Sequence, residues 1–375
     1  MWSGRQLQEL HQKISTPALL IAAGRLETNI SRMQQRATES GKFLRPHIKT
    51  HKCPDIAKRQ LAYGAGGITV AKSSEALVFG AAGFTDIFIA SQVTQPLKTD
   101  TLRKLATKIR LLCAADHRDQ LALYEKVVPP TKKLSLRIEI DCGFGRCGLL
   151  PDDPRLVELA GAIDASAGLE LEGLFTHGGQ AYSAESIEAR QNAAQAEAEA
   201  LLEARNRLKA IGIEVATLSV GSTPTAEFAF EQPGITEVRP GNYVFYDGIQ
   251  NALGVCEKEQ ISLFVLATVM SLPAAGRVVC DAGSKALSSD RGAHAAHILP
   301  GFGQLACGRG YLERLSEEHG IIRWDEKEPP PKIGEPLLII PNHACVASNL
   351  YDTFYLIEEG GSVQSLPIAA RGKSQ

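Results

Sequence analysis

The stretch GITVAKSSEALVFGAAGFTDIFIA, residues 67–90, decides the fold. A short β-branched run at 67–70 gives way to a segment of helical texture at 73–82, Gly83 stops it, and a second apolar run follows at 86–90. That is one strand–helix–strand unit, and the same alternation extends from about Leu44 to Asp247. Further runs at 44–48, 109–113, 134–140, 171–175, 215–220 and 235–238 bring the strands to eight. Eight strands with helical crossovers, the longest of them Ala-rich at 186–211, fit a closed (β/α)8 barrel better than an open doubly wound sheet. Beyond Gly248 the helical segments thin out and β-type runs dominate, at 261–270, 277–281, 336–340 and 362–366. The expected organisation is therefore α/β: a (β/α)8 TIM barrel over residues 15–250, then a β-rich domain over 251–375 that also takes residues 1–14. A run at 18–22 precedes the barrel count and is expected to pair with the second domain.

Composition narrows the function classes. Among 375 residues, 44% are hydrophobic and 22% charged, and 40 Lys and Arg against 42 Asp and Glu leave a net charge of −2. No basic footprint for nucleic acid or an anionic membrane is present. The apolar run at 261–270 is too short to span a bilayer, and Arg5 and Glu9 stand where a signal peptide needs an apolar stretch. A soluble cytoplasmic protein is expected. The eight cysteines form no CxxC pair or dense framework, as suits thiols in a reducing compartment.

In such a barrel the reactive residues follow the strands. The first run leads into RPHIKTHK (45–52), where alternation would point Lys49 inward and partial burial among cations would make it an amine nucleophile and base. A solvated basic loop has the same composition. The fifth ends in DCGFGRCG (141–148), whose glycines let Arg146 approach a ligand closely; a plain turn with an exposed Arg would read alike. After the sixth comes FTHGGQAY (175–182), with His177 and Tyr182. The seventh and eighth give VGSTPT (220–225) and RPGNY (239–243), two short glycine turns where this barrel often binds phosphate. A strand-end lysine opposite a phosphate cradle is the layout pyridoxal phosphate needs. His343-Ala344-Cys345 supplies two ligands, half a tetrahedral zinc site, although a buried Cys beside a core His is commoner.

These motifs, together with EVRPGNYVFYD (237–247) and PNHAC (341–345), make the chain resemble the fold-type III pyridoxal phosphate enzymes, the alanine racemase-like group. Within it the chain is most similar to the D-serine dehydratase and D-threonine aldolase family. The resemblance implies Lys49 as the Schiff-base lysine, with Lys52 as the alternative. It places Arg146 near the cofactor's phenolic oxygen, His177 against the pyridine ring and Tyr182 beside the cofactor linkage. Gly221, Ser222, Thr223, Gly241 and Asn242 would hold the phosphate. Arg239 matches the racemase arginine at the ring nitrogen, a role that dehydratases and aldolases need not keep. Cys53 departs from the tyrosine that racemases carry four residues after their lysine.

His343 and Cys345 would bind zinc, or another divalent metal, since the aldolases typically show His-Cys-Asp and a thiolate favours zinc. The implied activity is a metal-assisted lyase reaction that eliminates water and ammonia from a D-3-hydroxy amino acid, D-serine or D-threo-3-hydroxyaspartate among the candidates. Racemases need a second base, a tyrosine, and residues 281–287 contain none, so one-faced chemistry is expected. A D-threonine-type aldolase is the nearest rival. A non-catalytic pyridoxal phosphate homeostasis protein would lack the β-rich domain and the metal pair, and a metal-only barrel hydrolase leaves Lys49 unexplained. The resemblance also implies a homodimer in which the metal pair acts in cis or in trans.

Overall fold

The computed structural model describes residues 2–128, 132–292 and 298–375. In chain order the strands are β1 (Ala18–Ala22), β2 (Phe43–Leu44), β3 (Ile68–Val70), β4 (Asp86–Gln92), β5 (Arg110–Ala115), β6 (Leu134–Glu139), β7 (Leu169–Phe175), β8 (Thr217–Val220) and β9 (Glu237–Val238). There follow β10 (Leu263–Ala274), β11 (Arg277–Cys280), β12 (Gly303–Leu305), β13 (Gly310–Leu315), β14 (Gly320–Trp324), β15 (Pro336–Pro341), β16 (Thr353–Ile357) and β17 (Val363–Pro367). Two compact units divide the chain: residues 1–31, 50–53 and 242–371 form one, and residues 32–49, 54–241 and 372–375 the other.

The second of these units is the (β/α)8 barrel. Its eight strands are all parallel, in the order β2-β9-β8-β7-β6-β5-β4-β3. The ring closes between β2 and β3 through a single bridge, His47 to Thr69, with Thr69 N–H donating to Pro46 O at 2.8 Å. Every predicted run forms a strand, but the first stops at Leu44 instead of 48. Backbone bonds still continue past it, with Arg45 N–H donating to Val238 O at 3.0 Å and His47 N–H to Pro240 O at 2.9 Å, before the chain turns through a 3-10 segment, Ile48–Thr50. Lys49 is thus aimed by that turn and not by strand alternation. The crossover helix Ile187–Lys209 is capped by Ser186, whose hydroxyl accepts from Ala189 N–H, and buries Ala193, Ala194, Ala198, Leu201, Ala204 and Leu208, a stripe of helical period.

Barrel interiors usually fill with branched apolar residues. Here a layer of charge takes their place toward the strand starts. Arg45 and Arg137, each 1% exposed, converge on Glu237, 2% exposed. Arg45 Nε lies 2.7 Å from Glu237, Arg137 Nε lies 2.6 Å from Glu172, and Arg45 also meets Asp86 at 2.5 Å. Each buried charge has a partner of opposite sign, as burial demands.

The other unit carries a nine-stranded sheet, β11-β14-β13-β12-β15-β10-β1-β16-β17, in which β10 also pairs with β11 and so closes a ring of six. The twelve-residue β10 serves both neighbours by pairing with β15 over its first half and with β11 after irregularities at Val269–Ser271 and Ser271–Ala274. As expected, β1 joins this sheet, antiparallel to β10 and parallel to β16. Among the described residues no helix is long and apolar enough to cross a membrane.

Candidate active site

At the carboxyl ends of the barrel strands lies a cavity of about 190 Å³ whose wall includes Lys49, Arg146, His177, Gly221 and Arg239. Five of the residues read from strand-end motifs thus face one space. Lys72, which opens the helix Ser73–Ala81, adds a further cation, and among the described residues Glu139 is the only acidic side chain on the wall. A larger cavity in the other unit, about 400 Å³, is lined by Trp2, Arg25 and Phe264 among others and holds none of the predicted site residues.

Each group on the wall is held by identifiable contacts. The loop bearing Arg146 needs its glycines: Gly143, Gly145 and Gly148 all have φ between +71° and +105°, and Asp141 accepts from the N–H groups of Gly143 and Gly145 at 2.9 and 3.0 Å. Arg146 stacks over the Phe144 ring at 5.5 Å, and that ring meets His177 edge-on at 5.8 Å. His177 Nδ1 lies 2.6 Å from Gly221 O, and a carbonyl only accepts, so Nδ1 carries a proton. Arg239 donates to Ser219 Oγ and, at 2.6 Å, to Thr176 O. Burial lowers its pKa to about 10, against the pull of Glu237. Burial and the charges of Lys49 and Arg239 push His47 well down, which keeps that imidazole neutral. Burial raises Glu139, and Gln92 at 2.5 Å and Arg146 at 3.7 Å only partly offset it.

Glu197, fully buried on the long crossover helix, accepts from Gly178 N–H at 2.8 Å and Gly221 N–H at 3.1 Å, tying together the loops after β7 and β8. The Gly221 N–H is thereby committed to this carboxylate, while its missing side chain keeps the loop close to Arg239: a Cβ there would lie 2.9 Å from Arg239 atoms. Ser222 and Thr223 continue into the helix Thr223–Ala229, and Thr223 Oγ1 accepts from Gly241 N–H at 3.3 Å. Tyr182 sits in the 3-10 segment Gly179–Ser183 and is not on the cavity wall.

The remaining predicted residues belong to the other unit. Asn242 donates to Asp247 at 2.6 Å, and Lys52 donates to Asn349 at 2.9 Å. His343 occupies the N-cap position of the helix Ala344–Ser348 without a side-chain capping bond, two residues past the end of β15, and Cys345 is the second residue of that helix. Burial opposes protonation of His343, but Cys345, Asp290 and Asp247 outweigh it and push its pKa up to about 10. Thr50 Oγ1 lies 3.1 Å from Cys345 Sγ.

Sequence reading missed Gln92, Glu139 and Cys147 on the wall, and Glu197, Asp247 and Asp290 behind the two sets. Asp116, Glu139 and Cys147 bring potential metal-binding atoms within 4.8 Å of one another, although Gln92 and Arg146 already engage Glu139.

Comparison with known proteins matches this geometry to a family. Residues 21–248 match the alanine racemase N-terminal domain, and residues 262–357 match a serine dehydratase domain. The chain is 35% identical to a D-threo-3-hydroxyaspartate dehydratase of Delftia sp. strain HT23, over 96% of this chain and 98% of that one. Its solved structure superposes with a TM-score of 0.86 over 94% of this chain and 97% of that one. A D-threonine aldolase of Arthrobacter is 34% identical over 97% and 94% of the two chains. The crystal structure of a D-threonine aldolase from Filomicrobium marinum, 30% identical, gives a TM-score of 0.89 over 96% of this chain and 97% of that one. The chain accordingly belongs to the D-serine dehydratase and D-threonine aldolase family of alanine racemase-like enzymes.

Proposed function

We propose that this enzyme is a pyridoxal phosphate- and zinc-dependent lyase that eliminates water and ammonia from a D-3-hydroxy amino acid. One observation carries the reading: Lys49 opens into a single small cavity with Arg146, His177 and Arg239, at the strand ends of a barrel of this family. The wall suits the cofactor. It offers a primary amine, an imidazole edge, a glycine turn without a Cβ, and four cations against one buried carboxyl, the balance that a phosphorylated, carboxylate-bearing ligand neutralises. When bound, pyridoxal phosphate supplies an aldehyde for amines and a conjugated ring that accepts electron density from the α-carbon.

The protein's own part follows from its residues. Lys49 would hold the cofactor through Nζ, and the same amine, when free, would take the α-proton of the substrate. Arg146 and Arg239 bind and orient anionic groups, and Phe144 keeps Arg146 and His177 in place. His47, kept neutral, adds no rival charge beside Lys49.

The donor set His343 and Cys345 also fits a metal, since imidazole and thiolate are zinc ligands and two protein ligands leave positions for exchangeable groups. A divalent cation there supplies Lewis acidity to a departing hydroxyl. A cysteine-to-alanine variant of a D-threo-3-hydroxyaspartate dehydratase, 34% identical to this chain, is described in a metal-free form, which supports a metal in this chain as well. A retro-aldol reading has support of similar weight from the Arthrobacter and Filomicrobium aldolases. The reading further includes a cytoplasmic homodimer, which sedimentation would measure.

The deciding experiment incubates the purified holoenzyme with D-serine, D-threonine and D-threo-3-hydroxyaspartate, with and without chelator, and identifies the products. A 2-oxo acid and ammonia, lost on chelation, are expected. Glycine and an aldehyde would replace the dehydratase reading by the aldolase.

A further inference from the structure

The peptide bearing the metal pair is held by two carboxylates from distant parts of its unit. Asp247, fully buried, accepts from Ala344 N–H at 2.8 Å and from Gln250 N–H at 2.9 Å, which fixes the backbone between His343 and Cys345. Asp290 acts on the side chain: its Oδ2 lies 2.7 Å from His343 Nδ1. The other oxygen, Oδ1, accepts from Gly292 N–H at 3.0 Å, so the carboxylate cannot swing away without losing a second bond. Two residues upstream, Ser288 takes φ +65°, a conformation that L side chains rarely adopt, and its hydroxyl accepts from Asp290 N–H at 2.9 Å. An ionised carboxylate only accepts, so the proton in the Asp290–His343 contact sits on Nδ1. Neutral His343 then has its lone pair on Nε2 alone.

We infer that Asp290 is a positioning residue for the metal centre: it fixes the His343 tautomer and ring orientation so that Nε2 is the ligating atom. A histidine ligand whose other nitrogen donates to a carboxylate is both more basic and less free to rotate, and loss of such a partner typically costs roughly 10–100-fold in metal affinity. The inference rests on the reading of His343 and Cys345 as a metal pair, and names the residue outside the pair that makes it work.

Zinc affinity, measured by competition with a chromophoric chelator on the purified full-length protein, tests it without reference to turnover. Wild type and Cys345→Ala set the scale. Asp290→Ala should bind zinc about 10–100-fold more weakly than wild type. Asp290→Asn, which keeps an acceptor oxygen for Nδ1–H, should recover much of that loss, and it carries the test if the alanine variant fails to fold. The cobalt(II)-substituted protein supplies the second readout: the thiolate-to-cobalt band and the d–d bands of Asp290→Ala should match wild type, while Cys345→Ala loses the thiolate band. Zinc affinity unchanged within twofold in Asp290→Ala overturns the inference. So do d–d bands shifted away from wild type, which would make Asp290 a ligand itself. Wild-type protein that takes up no zinc or cobalt removes the metal pair altogether, an outcome distinct from either.

Discussion

Two glutamates on the inside of one barrel have opposite fates. Glu237, 2% exposed at the start of β9, is held far below the usual carboxylate range: burial works against its charge, but Arg45 and Arg137 overcome it. Glu139, 3% exposed at the end of β6, is pushed up, because burial, joined by the charge of Asp116, outweighs Gln92, Arg146 and Arg239. The same residue type, equally buried, is a fixed anion in the layer near the strand starts and a poorly supported one at the cavity. In the layer every charge has been matched within the chain. At the cavity the cations outnumber the anions, and the imbalance is what a ligand can use.

The contrast breaks most visibly at Lys49. If Lys49 is the base and cofactor anchor proposed above, Lys49→Ala should lower kcat/KM by about 10³-fold or more and abolish the absorbance of a bound cofactor, while the urea midpoint stays near that of the wild type. A large drop in the midpoint would show that the cavity cations are structural after all. In the layer the balance reverses. Glu237→Ala removes the buried carboxylate that two guanidiniums share, leaving Arg45 with Asp86 and Arg137 with Glu172, and should cost about 3–5 kcal/mol in urea unfolding. A cost near zero would mean that water enters the layer and the pairing is idle.

Acid sharpens the same point. Because the folded state holds Glu237 well below its unfolded value, its contribution is complete above about pH 4.5 and declines as pH falls further, where the unfolded chain binds a proton that the folded one refuses. Wild-type stability should therefore fall along that limb more steeply than that of Glu237→Gln, as read from urea midpoints across the acid range. The smallest effect is expected at Glu139. Glu139→Gln replaces a carboxyl that burial disfavours with a neutral group of the same shape, and stability at pH 7 should change by less than about 1 kcal/mol. A loss as large as that at Glu237 would erase the distinction.

The barrel was legible because its strands and helices differ in period, and glycine marks the joins. The site was legible wherever a strand end coincided with a motif, as at Arg146, His177 and Gly221. It was hidden where the strand ran on: the third barrel run was expected to stop at Ala90, but β4 continues to Gln92, the residue that holds Glu139. The rule that strand ends carry the chemistry could have flagged Glu139, yet a lone carboxyl in an apolar run has no pattern to announce it. Glu197, Asp247 and Asp290 lie 19 to 97 residues from Gly178, Ala344 and His343, the site groups they hold, and a single sequence carries no signal of such pairs. The direction of Lys49 followed from the wrong cause, because the pairing reaches only His47 and the 3-10 turn Ile48–Thr50 carries Lys49 beyond it.

The one-bridge junction between His47 and Thr69 has a kinetic consequence. Elsewhere around the ring, neighbouring strands are zipped by successive ladder bonds, so that junction is where the cylinder can unbutton at least cost, two residues from the amine that would anchor the cofactor. Cofactor loading should act as a clasp, slowing amide hydrogen exchange at Thr69 more than at mid-strand positions such as Leu112.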